Sequence, residues 1–253
     1  MGVVRDLQSA VAGARGARRG SLIFTVRAGL VLAALVPPLA GLLLFARDGR
    51  RGYRLVRRCA RAVVRLSGVR VTVDGLQHVP TGTHAMFVSN HSSLADAAIL
   101  LAALPLDFRF VANHVFAGYP LLGAAIRAAS YHIVDRGSWR SRAECGRSMV
   151  DALRAGQSLL VFPEGTTSNV DGLLPFRSGA FRAAVSSGAS VVPIAITGTR
   201  DLLPPDRLWL APVPVRIEVL PPVTPSSAGG REAVTALRET VAAAIRRRLD
   251  LQQ

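Results

Sequence analysis

The sequence predicts an α/β fold in which a central, mostly parallel or mixed sheet is flanked by helices. Strand-like and helix-like segments alternate after about residue 67, which is typical of this class. Apolar residues make up 50% of the 253 positions, enough for one large core. A basic, apolar stretch precedes the alternation. We therefore divide the chain into a basic amino-terminal region (1–66), an α/β domain (67–220), and a linker with a carboxyl-terminal helix that packs on the domain (221–253).

The positive charge is concentrated in the amino-terminal region. Every basic residue is an arginine, and fourteen of the 31 lie between Arg5 and Arg70, against two acids. Most of the net charge of +15 therefore belongs to one local segment. Because aromatic residues are few and the arginines border an apolar run, we expect no nucleic-acid partner.

Residues 28–46 form an uncharged apolar run long enough to reach across a hydrocarbon core. Pro37 and Pro38 lie at its centre, where they remove backbone donors, and arginines flank both ends. This pattern favours a re-entrant hairpin that bends at the prolines and leaves both flanks cytoplasmic, with a single span as the alternative. A cleaved signal peptide is disfavoured because no small-residue cleavage site follows the run.

Residues 54–66 have the pattern of a basic amphipathic helix. Its apolar side would carry Leu55, Val56, Cys59, Val63 and Leu66, opposite Arg54, Arg57, Arg58, Arg61 and Arg65. Such a helix lies in the lipid interface near anionic headgroups, whereas the alternative is a surface helix packed on the domain. We therefore predict a membrane-docking helical hairpin at the cytoplasmic face of the cell membrane, with membrane lipids and the anionic bilayer surface as partners.

The remaining elements follow from hydrophobic periodicity and from the glycines and prolines between them. The predicted strands are 69–73, 85–89, 108–111, 131–134, 158–162, 191–196 and 213–219. The predicted helices are 95–104, 120–128, 140–154, 177–186 and 231–249. Neither cysteine has a paired spacing, and the five histidines form no short ligand pair, so we expect no disulfide and no metal.

The most informative segment is SNHSSLAD at residues 89–96. It places His91 after a buried strand and Asp96 in the first turn of the next helix, where open α/β sheets bind ligands. The carboxylate can receive the imidazole Nδ1–H and leave Nε2 free to accept a proton. Capping of the helix by His91, Ser93 and Asp96 is an equally compatible interpretation of this segment taken alone.

A second segment, VFPEGTTS at residues 161–168, ends another buried strand in a tight turn. Gly165 would permit close backbone approach to a ligand, and Glu164 would order polar groups of a substrate or hold the loop. There is no G-x-S-x-G elbow, and neither cysteine lies in a candidate site. A base without a protein nucleophile indicates that the substrate supplies its own hydroxyl.

Two arginines are candidates for binding a phosphate. Arg136 follows a predicted strand and could hold a phosphate through two hydrogen bonds, although an ion pair with Asp135 is the alternative. Arg177 lies near a helix start and is either a second phosphate ligand or a solvated surface residue.

The segment NHSSLAD resembles the NHxSxxD block of the glycerolipid acyltransferases of the lysophosphatidic acid acyltransferase type. Further blocks follow in the family's order: Phe116, Pro120 and Gly123 at a turn entering a helix, VDR at 134–136, FPEGT at 162–166 and VVPIAI at 191–196. The resemblance covers about residues 69–199. It implies that His91, aided by Asp96, deprotonates an acceptor hydroxyl, which then attacks the thioester of an acyl-CoA or acyl-carrier protein as co-substrate, without a cofactor.

The resemblance also implies a set of acceptor-binding residues: Asn90, Ser93, Arg136, Glu164, Gly165, Thr166, Thr167 and Arg177. Two positions depart from the family. Thr167 stands where members often have an arginine, and Asn113 stands where many have a lysine, so two cationic contacts to the acceptor phosphate are missing. We expect 1-acyl-sn-glycerol-3-phosphate as the first acceptor, giving phosphatidic acid. The alternatives are another lysolipid such as lyso-ornithine lipid and, outside the class, a non-catalytic membrane-binding module.

Overall fold

The computed structural model describes residues 2–45, 48–80, 84–167, 172–204 and 209–251, with side chains omitted for 2–20 and 44–45. The helices are α1 (Gly2–Phe45), α2 (Gly49–Ser67), α3 (Ala95–Ala103), α4 (His114–Ala117), α5 (Pro120–Ala128), α6 (Trp139–Arg154), α7 (Gly179–Ser187), α8 (Thr199–Leu202) and α9 (Gly230–Asp250). The strands are β1 (Val71–Asp74), β2 (Met86–Ser89), β3 (Arg109–Asn113), β4 (His132–Val134), β5 (Leu159–Val161), β6 (Val191–Thr197) and β7 (Val215–Val219).

The strands form one mixed sheet in the order β1-β7-β6-β2-β5-β3-β4, as the α/β prediction requires. Strands β6, β2, β5, β3 and β4 are parallel, whereas β7 pairs antiparallel with β6 and parallel with β1. The carboxyl ends of the five parallel strands therefore meet at one edge of the sheet. The loops that follow β2, β4 and β5 at this edge carry the candidate site residues.

The predicted strands and domain helices are present, with ends that differ from the expected positions by no more than two residues. The agreement follows from burial on both faces of the sheet, which makes the central strands continuous apolar runs. Met86 and Val88 of β2 face the core under α6, α7 and α9, while Phe87 faces the core under α2 and α3. The short helices α4 and α8 were not expected, because four residues carry little periodicity.

The predicted bend at Pro37 and Pro38 is wrong, because α1 continues through both prolines to Phe45. The hairpin that the structure forms is made by α1 and α2, whose amino terminus is capped by the Asp48 carboxylate through the Arg50 N–H at 2.9 Å. Tertiary packing against α2 outweighs the local disruption that two prolines cause in an isolated helix. In this region the Cys59 thiol of α2 lies 3.9 Å from the Leu35 carbonyl oxygen of α1.

Helix α2 packs on the α/β domain, which is the alternative that its sequence left open. Tyr53 is buried in the core, and its hydroxyl contacts the Leu106 carbonyl and the Phe108 N–H at 3.3 Å each. Arg57 and Arg61 donate to the carbonyl oxygens of Leu104 and Ala102. The positive charges of these two arginines therefore lie at the carboxyl-terminal end of α3, where backbone carbonyls carry partial negative charge. We predicted that both arginines face lipid, and for these two residues the prediction is wrong.

A glycine makes the close crossing of α2 and α5 feasible. A Cβ at Gly52 would lie 1.9 Å from the Ala128 carbonyl oxygen, so a larger residue would force the two helices apart. The segment Ser21–Leu43 of α1 is long and apolar enough to cross a membrane, and an apolar stretch of 18 residues within it is only 11% buried. Its exposed large apolar residues are Leu22, Ile23, Val26, Leu30, Leu32 and Leu42.

Candidate active site

His91 and Asp96 are brought together at the carboxyl edge of the sheet, as the sequence predicted. The imidazole Nδ1 lies 2.9 Å from Asp96 Oδ2, and because a carboxylate only accepts hydrogen bonds, Nδ1 is the donor. Asp96 is fully buried, whereas the His91 side chain is 15% exposed. Within the described residues, His91 Nε2 has no hydrogen-bond partner. The site therefore has an imidazole with a fixed tautomer and a free nitrogen at the surface.

The Asp96 carboxylate also shapes the loop that carries His91. Oδ2 accepts the backbone N–H groups of Ser92 at 2.8 Å and Ser93 at 2.9 Å, in addition to the imidazole. The Ser93 hydroxyl accepts the Ala95 N–H and donates to the Leu203 carbonyl. The helix-capping and base-orienting interpretations are therefore compatible, since one oxygen performs both tasks.

Phe162 is a site residue that sequence reasoning missed. Its ring stacks on the His91 ring with a centroid separation of 4.1 Å and an interplanar angle of 16°, and Phe110 stacks beyond it at 6.0 Å. Phe162 follows β5, and His91 follows β2, which is hydrogen-bonded to β5. The signal was an aromatic residue beside the Pro-Glu-Gly turn, but only the strand order shows that this ring lies against the imidazole.

Glu164 fastens two loops of the site together. Its carboxylate accepts the His91 N–H at 2.6 Å through Oε1 and the Leu174 N–H at 2.9 Å through Oε2. Burial raises the pKa of Glu164, and the two backbone hydrogen bonds oppose that shift. Of the two roles that the sequence left open, the geometry therefore supports holding the loop, since both oxygens are already occupied.

Replacing Glu164 by glutamine is expected to destabilise the protein and slow catalysis. Glutamine has one acceptor oxygen, so one of the two buried N–H groups would face an amide NH₂ instead. Leaving a buried donor unpaired costs about 1–3 kcal/mol. We expect a lower thermal midpoint and a kcat reduced about tenfold, because the backbone of His91 loses its anchor. An unchanged midpoint and kcat would show that the carboxylate does not hold the loops; Glu144→Gln, the same substitution at an exposed position of α6, is the matched control.

The side chains of Asn90 and Ser93 hold the His91 loop in place through hydrogen bonds to neighbouring backbone groups. The Asn90 amide exchanges hydrogen bonds with the backbone of Ile196 in β6, at 2.8 and 2.9 Å, and is buried. Ser93 is fully buried, with its hydroxyl occupied by protein groups. Both residues therefore join β2 and its loop to neighbouring elements. We predicted that they contact the acceptor, but their polar side-chain atoms are already hydrogen-bonded to protein groups.

Arg136 and Arg177 lie close enough to affect each other electrostatically. Burial, and then the positive charge of Arg177, lower the pKa of Arg136. Neither guanidinium has a hydrogen-bond or ion-pair partner in the part of the chain that the structure describes. Gly165 has φ +81°, and a Cβ there would lie 2.7 Å from Arg177 Nε, so glycine allows the arginine to pass close to the turn. Two unpaired, mutually repelling cations favour an anionic ligand.

The alternatives for the arginines are weakened by their surroundings. The Asp135 carboxylate accepts the Gly137 N–H at 2.9 Å and lies 3.4 Å from His114 Nδ1, so it does not pair with Arg136. Asn113 caps α4 by accepting the Val115 N–H at 3.3 Å. Thr166 is exposed and Thr167 half-buried at the mouth of the Gly165 turn.

Among the described residues, no group of three or more His, Cys, Asp or Glu could hold a metal ion.

Comparison with known proteins identifies the family. The family model described as Acyltransferase matches residues 70–197, just over half of the chain. The chain belongs to the Acyltransferase family. The match contains every candidate site residue named above, from Asn90 to Arg177.

The names of similar proteins describe acyltransferases that act on lysolipids. The chain is 33% identical over 165 residues to a 1-acyl-sn-glycerol-3-phosphate acyltransferase from Limnanthes alba, which covers 64% of this chain and 57% of that protein. It is 35% identical over 119 residues to a lyso-ornithine lipid O-acyltransferase from Pseudomonas aeruginosa, covering 47% of this chain and 45% of the relative. The chain therefore spans about half the length of these curated relatives.

The fold is also shared with a solved structure. The 1-acyl-sn-glycerophosphate acyltransferase PlsC from Thermotoga maritima matches with a TM-score of 0.76 over 92% of this chain and 95% of that one, at 24% identity. The likeness extends beyond the residues that the Acyltransferase model matches. It confirms the predicted α/β architecture of the chain.

Proposed function

We propose that this protein is a membrane-associated O-acyltransferase that moves a fatty acyl group from a thioester to the free hydroxyl of a lysolipid. The observation that carries the proposal is the His91–Asp96 pair, in which Nδ1 is held at 2.9 Å and Nε2 is free at the sheet edge. No hydroxyl or thiol of the described residues is hydrogen-bonded to Nε2. The base is therefore available to a hydroxyl that arrives with the substrate.

The proposed reaction transfers the acyl group directly. Nε2 of His91 removes the proton of the acceptor hydroxyl while that oxygen attacks the thioester carbonyl carbon. Asp96 stabilises the imidazolium that forms. The tetrahedral intermediate collapses, the carbon–sulfur bond breaks, and the imidazolium returns the proton to the departing sulfur. The products are an ester and a free thiol, and the histidine is regenerated.

The Arg136 and Arg177 pair supports an acceptor with a phosphate group. Two guanidinium groups without carboxylate partners next to the Gly165 turn are suited to a doubly charged phosphomonoester. The first acceptor is therefore 1-acyl-sn-glycerol-3-phosphate, which gives phosphatidic acid. Two observations favour the lyso-ornithine lipid alternative. Thr167 and Asn113 leave the site with fewer cations, and the Pseudomonas aeruginosa relative is named a lyso-ornithine lipid O-acyltransferase.

The exposed apolar face of α1 supports attachment to a membrane. Leucine, isoleucine and valine side chains along Ser21–Leu43 lie outside the protein core, and arginines in α2 such as Arg54, Arg58 and Arg65 remain exposed. We place this hairpin at the cytoplasmic face of the cell membrane, with anionic lipids as its partners.

A panel of lysolipid acceptors tests the proposed function. Wild type, Arg136→Ala and Thr167→Arg would be assayed in detergent or vesicles with one labelled acyl thioester. For 1-acylglycerol-3-phosphate, we expect Arg136→Ala to lower kcat/KM at least about tenfold, since a charge-assisted hydrogen bond contributes about 1.5–3 kcal/mol. Thr167→Arg is expected to raise it. The fold should survive, because the Arg136 guanidinium has no partner among the described residues.

Acceptors without a phosphomonoester are the matched control in the same assay. Their kcat/KM should change less than about twofold in either variant. If wild type prefers such an acceptor, the lyso-ornithine type of alternative replaces the first choice. If no lysolipid accepts the labelled acyl group, the proposed function is wrong.

A further inference from the structure

A long groove lies between α6 and α7 and opens at the candidate active site. Its volume is about 920 Å³, and its floor includes Val111, Val134 and Val161 of strands β3, β4 and β5. Phe162 and Gly165 line the groove at the catalytic edge, and Ser186 lines it at the last turn of α7. The groove therefore connects the candidate site with the opposite edge of the sheet.

The helical repeat explains why the groove exists. One broad side of each helix lines the groove: positions 139, 142, 143, 145, 146, 147, 149, 150, 151 and 154 of α6, and positions 179, 180, 182, 183 and 186 of α7. Small residues at 143, 146, 179 and 183 keep the helices from filling the space. A Cβ at Gly146 or Gly179 would meet nothing within 4 Å. With 16 residues, α6 gives the groove a length of about 24 Å.

Positive charge follows the groove along its length. Six lining residues are arginines, namely Arg136, Arg142, Arg147, Arg154, Arg177 and Arg182, and one, Asp151, is a carboxylate. Arg142 donates to the Arg136 carbonyl and Arg154 to the Ser186 carbonyl. Arg147 and Arg182 have no hydrogen-bond or ion-pair partner in the described ranges. An apolar floor with unpaired cations along its rim fits an amphipathic, anionic ligand.

The groove lies on the opposite face of the sheet from the proposed membrane hairpin. Helices α6, α7 and α9 cover one face, while α1, α2 and α3 pack on the other. A ligand that occupies the groove can therefore extend away from the hairpin toward water. The proposed function assigns Arg136 and Arg177, at the catalytic end of the groove, to the acceptor phosphate. The rest of the groove, which leads away from the hairpin, suits a water-soluble acyl carrier better than the lipid acceptor.

We propose that the groove binds the phosphopantetheine arm of the acyl donor, an inference that rests on the proposed function. The thioester would lie at the Gly165 turn, the apolar part of the arm on the valine floor, and the phosphate near Arg154 and Arg182. This arm is common to coenzyme A and to acyl-carrier protein, so the groove would bind the part that both donors share.

Phosphate recognition is tested with three donors that share one acyl group: acyl-CoA, acyl-4′-phosphopantetheine and acyl-pantetheine, which lacks phosphate. For Arg182→Ala, we expect kcat/KM to fall about tenfold with the two phosphorylated donors and less than about twofold with acyl-pantetheine. An equal loss with all three donors, or no loss with any, overturns the assignment. Wild type that transfers neither from these donors nor from acyl-carrier protein contradicts the proposed function itself.

Occupation of the groove is tested with Gly146→Leu, with Gly146→Ala as the matched control. Leucine would extend into the groove, while the open space at the Cβ and its higher helix propensity keep the fold intact. We expect the donor KM to rise about tenfold for leucine and to stay within about twofold for alanine, with the acceptor KM unchanged. A shifted acyl-chain preference with unchanged donor KM would place the acyl tail in the groove and overturn the inference.

The same variants distinguish the two carriers. Under the inference, Gly146→Leu impairs every donor that the wild type uses, because each presents the same arm. Retained transfer from acyl-carrier protein, with transfer from acyl-CoA lost, would show that the arm of the protein carrier enters elsewhere and would overturn the shared assignment.

Discussion

Replacing His91 by glutamine is expected to reduce kcat by about 10²–10⁴-fold, the usual contribution of a positioned general base. Glutamine cannot accept a proton at neutral pH, yet it is similar in length to histidine and can still lie against Phe162. The His91 backbone N–H remains bound to Glu164 because the substitution leaves the main chain intact. Acyl transfer measured with saturating donor and acceptor checks this expectation.

Stability and substrate binding show whether the loss of kcat comes from the chemical step or from a damaged fold. The thermal midpoint of His91→Gln and its partition to anionic vesicles should match the wild type, and the acceptor KM should change only a few-fold. His91→Ala serves as the second variant and should lose as much activity, with a lower midpoint because the Phe162 ring loses its stacking partner. More than a tenth of wild-type kcat in either variant would rule out His91 as the base.

Asp96→Asn is expected to cost about two orders of magnitude in kcat while preserving most of the local geometry. An amide oxygen at the position of Oδ2 can still accept the imidazole and the Ser92 and Ser93 N–H groups. What disappears is the negative charge that stabilises the imidazolium as the proton is transferred. The new NH₂ would replace Oδ1, which is buried without a partner among the described residues, and this costs some stability.

Ser93→Ala separates the structural from the catalytic contribution of this loop. It removes the hydrogen bonds to Ala95 and Leu203 but leaves the carboxylate and the imidazole in place. We expect a loss of about 1 kcal/mol in stability with kcat within a few-fold of wild type. If Ser93→Ala and Asp96→Asn lower kcat equally, the carboxylate acts mainly by capping α3, and its catalytic role is refuted.

Much of the candidate active site could be predicted because the sequence patterns that indicate it involve residues close together in the chain. The strand at 86–89 is a continuous apolar run, and the histidine loop after it contains its own acid five residues later. Periodicity likewise placed α6 and α9 to within a residue or two. Each of these inferences concerns residues that are neighbours along the chain, where backbone geometry alone fixes the spacing.

The features that escaped prediction depend on residues far apart in sequence. Strand order decides that Phe162 stacks on His91 and that Asn90 reaches β6, and hydrophobic pattern does not encode strand order. Of the two hydrogen bonds of Glu164, one depends on the return of residue 174 to the site, ten positions later, and the other on the pairing of β5 with β2. The groove between α6 and α7 was missed because small residues on two separate helices create it.

The amino-terminal region shows how tertiary contacts override a local signal. Pro37 and Pro38 predicted a bend, yet α1 continues as one helix beside α2. The arginines of α2 predicted a lipid-facing stripe, yet Arg57 and Arg61 bind the end of α3. In the second case the neighbouring helix supplies partners for polar groups that the isolated segment leaves unpaired.

The burial of Tyr53 against Leu106 and Phe108 has a practical consequence for anyone who handles this protein. Trimming the chain near residue 66 would strip one wall from the hydrophobic layer over α3. A fragment that lacks α2 should therefore aggregate, and preparations that retain α2 are the appropriate starting material.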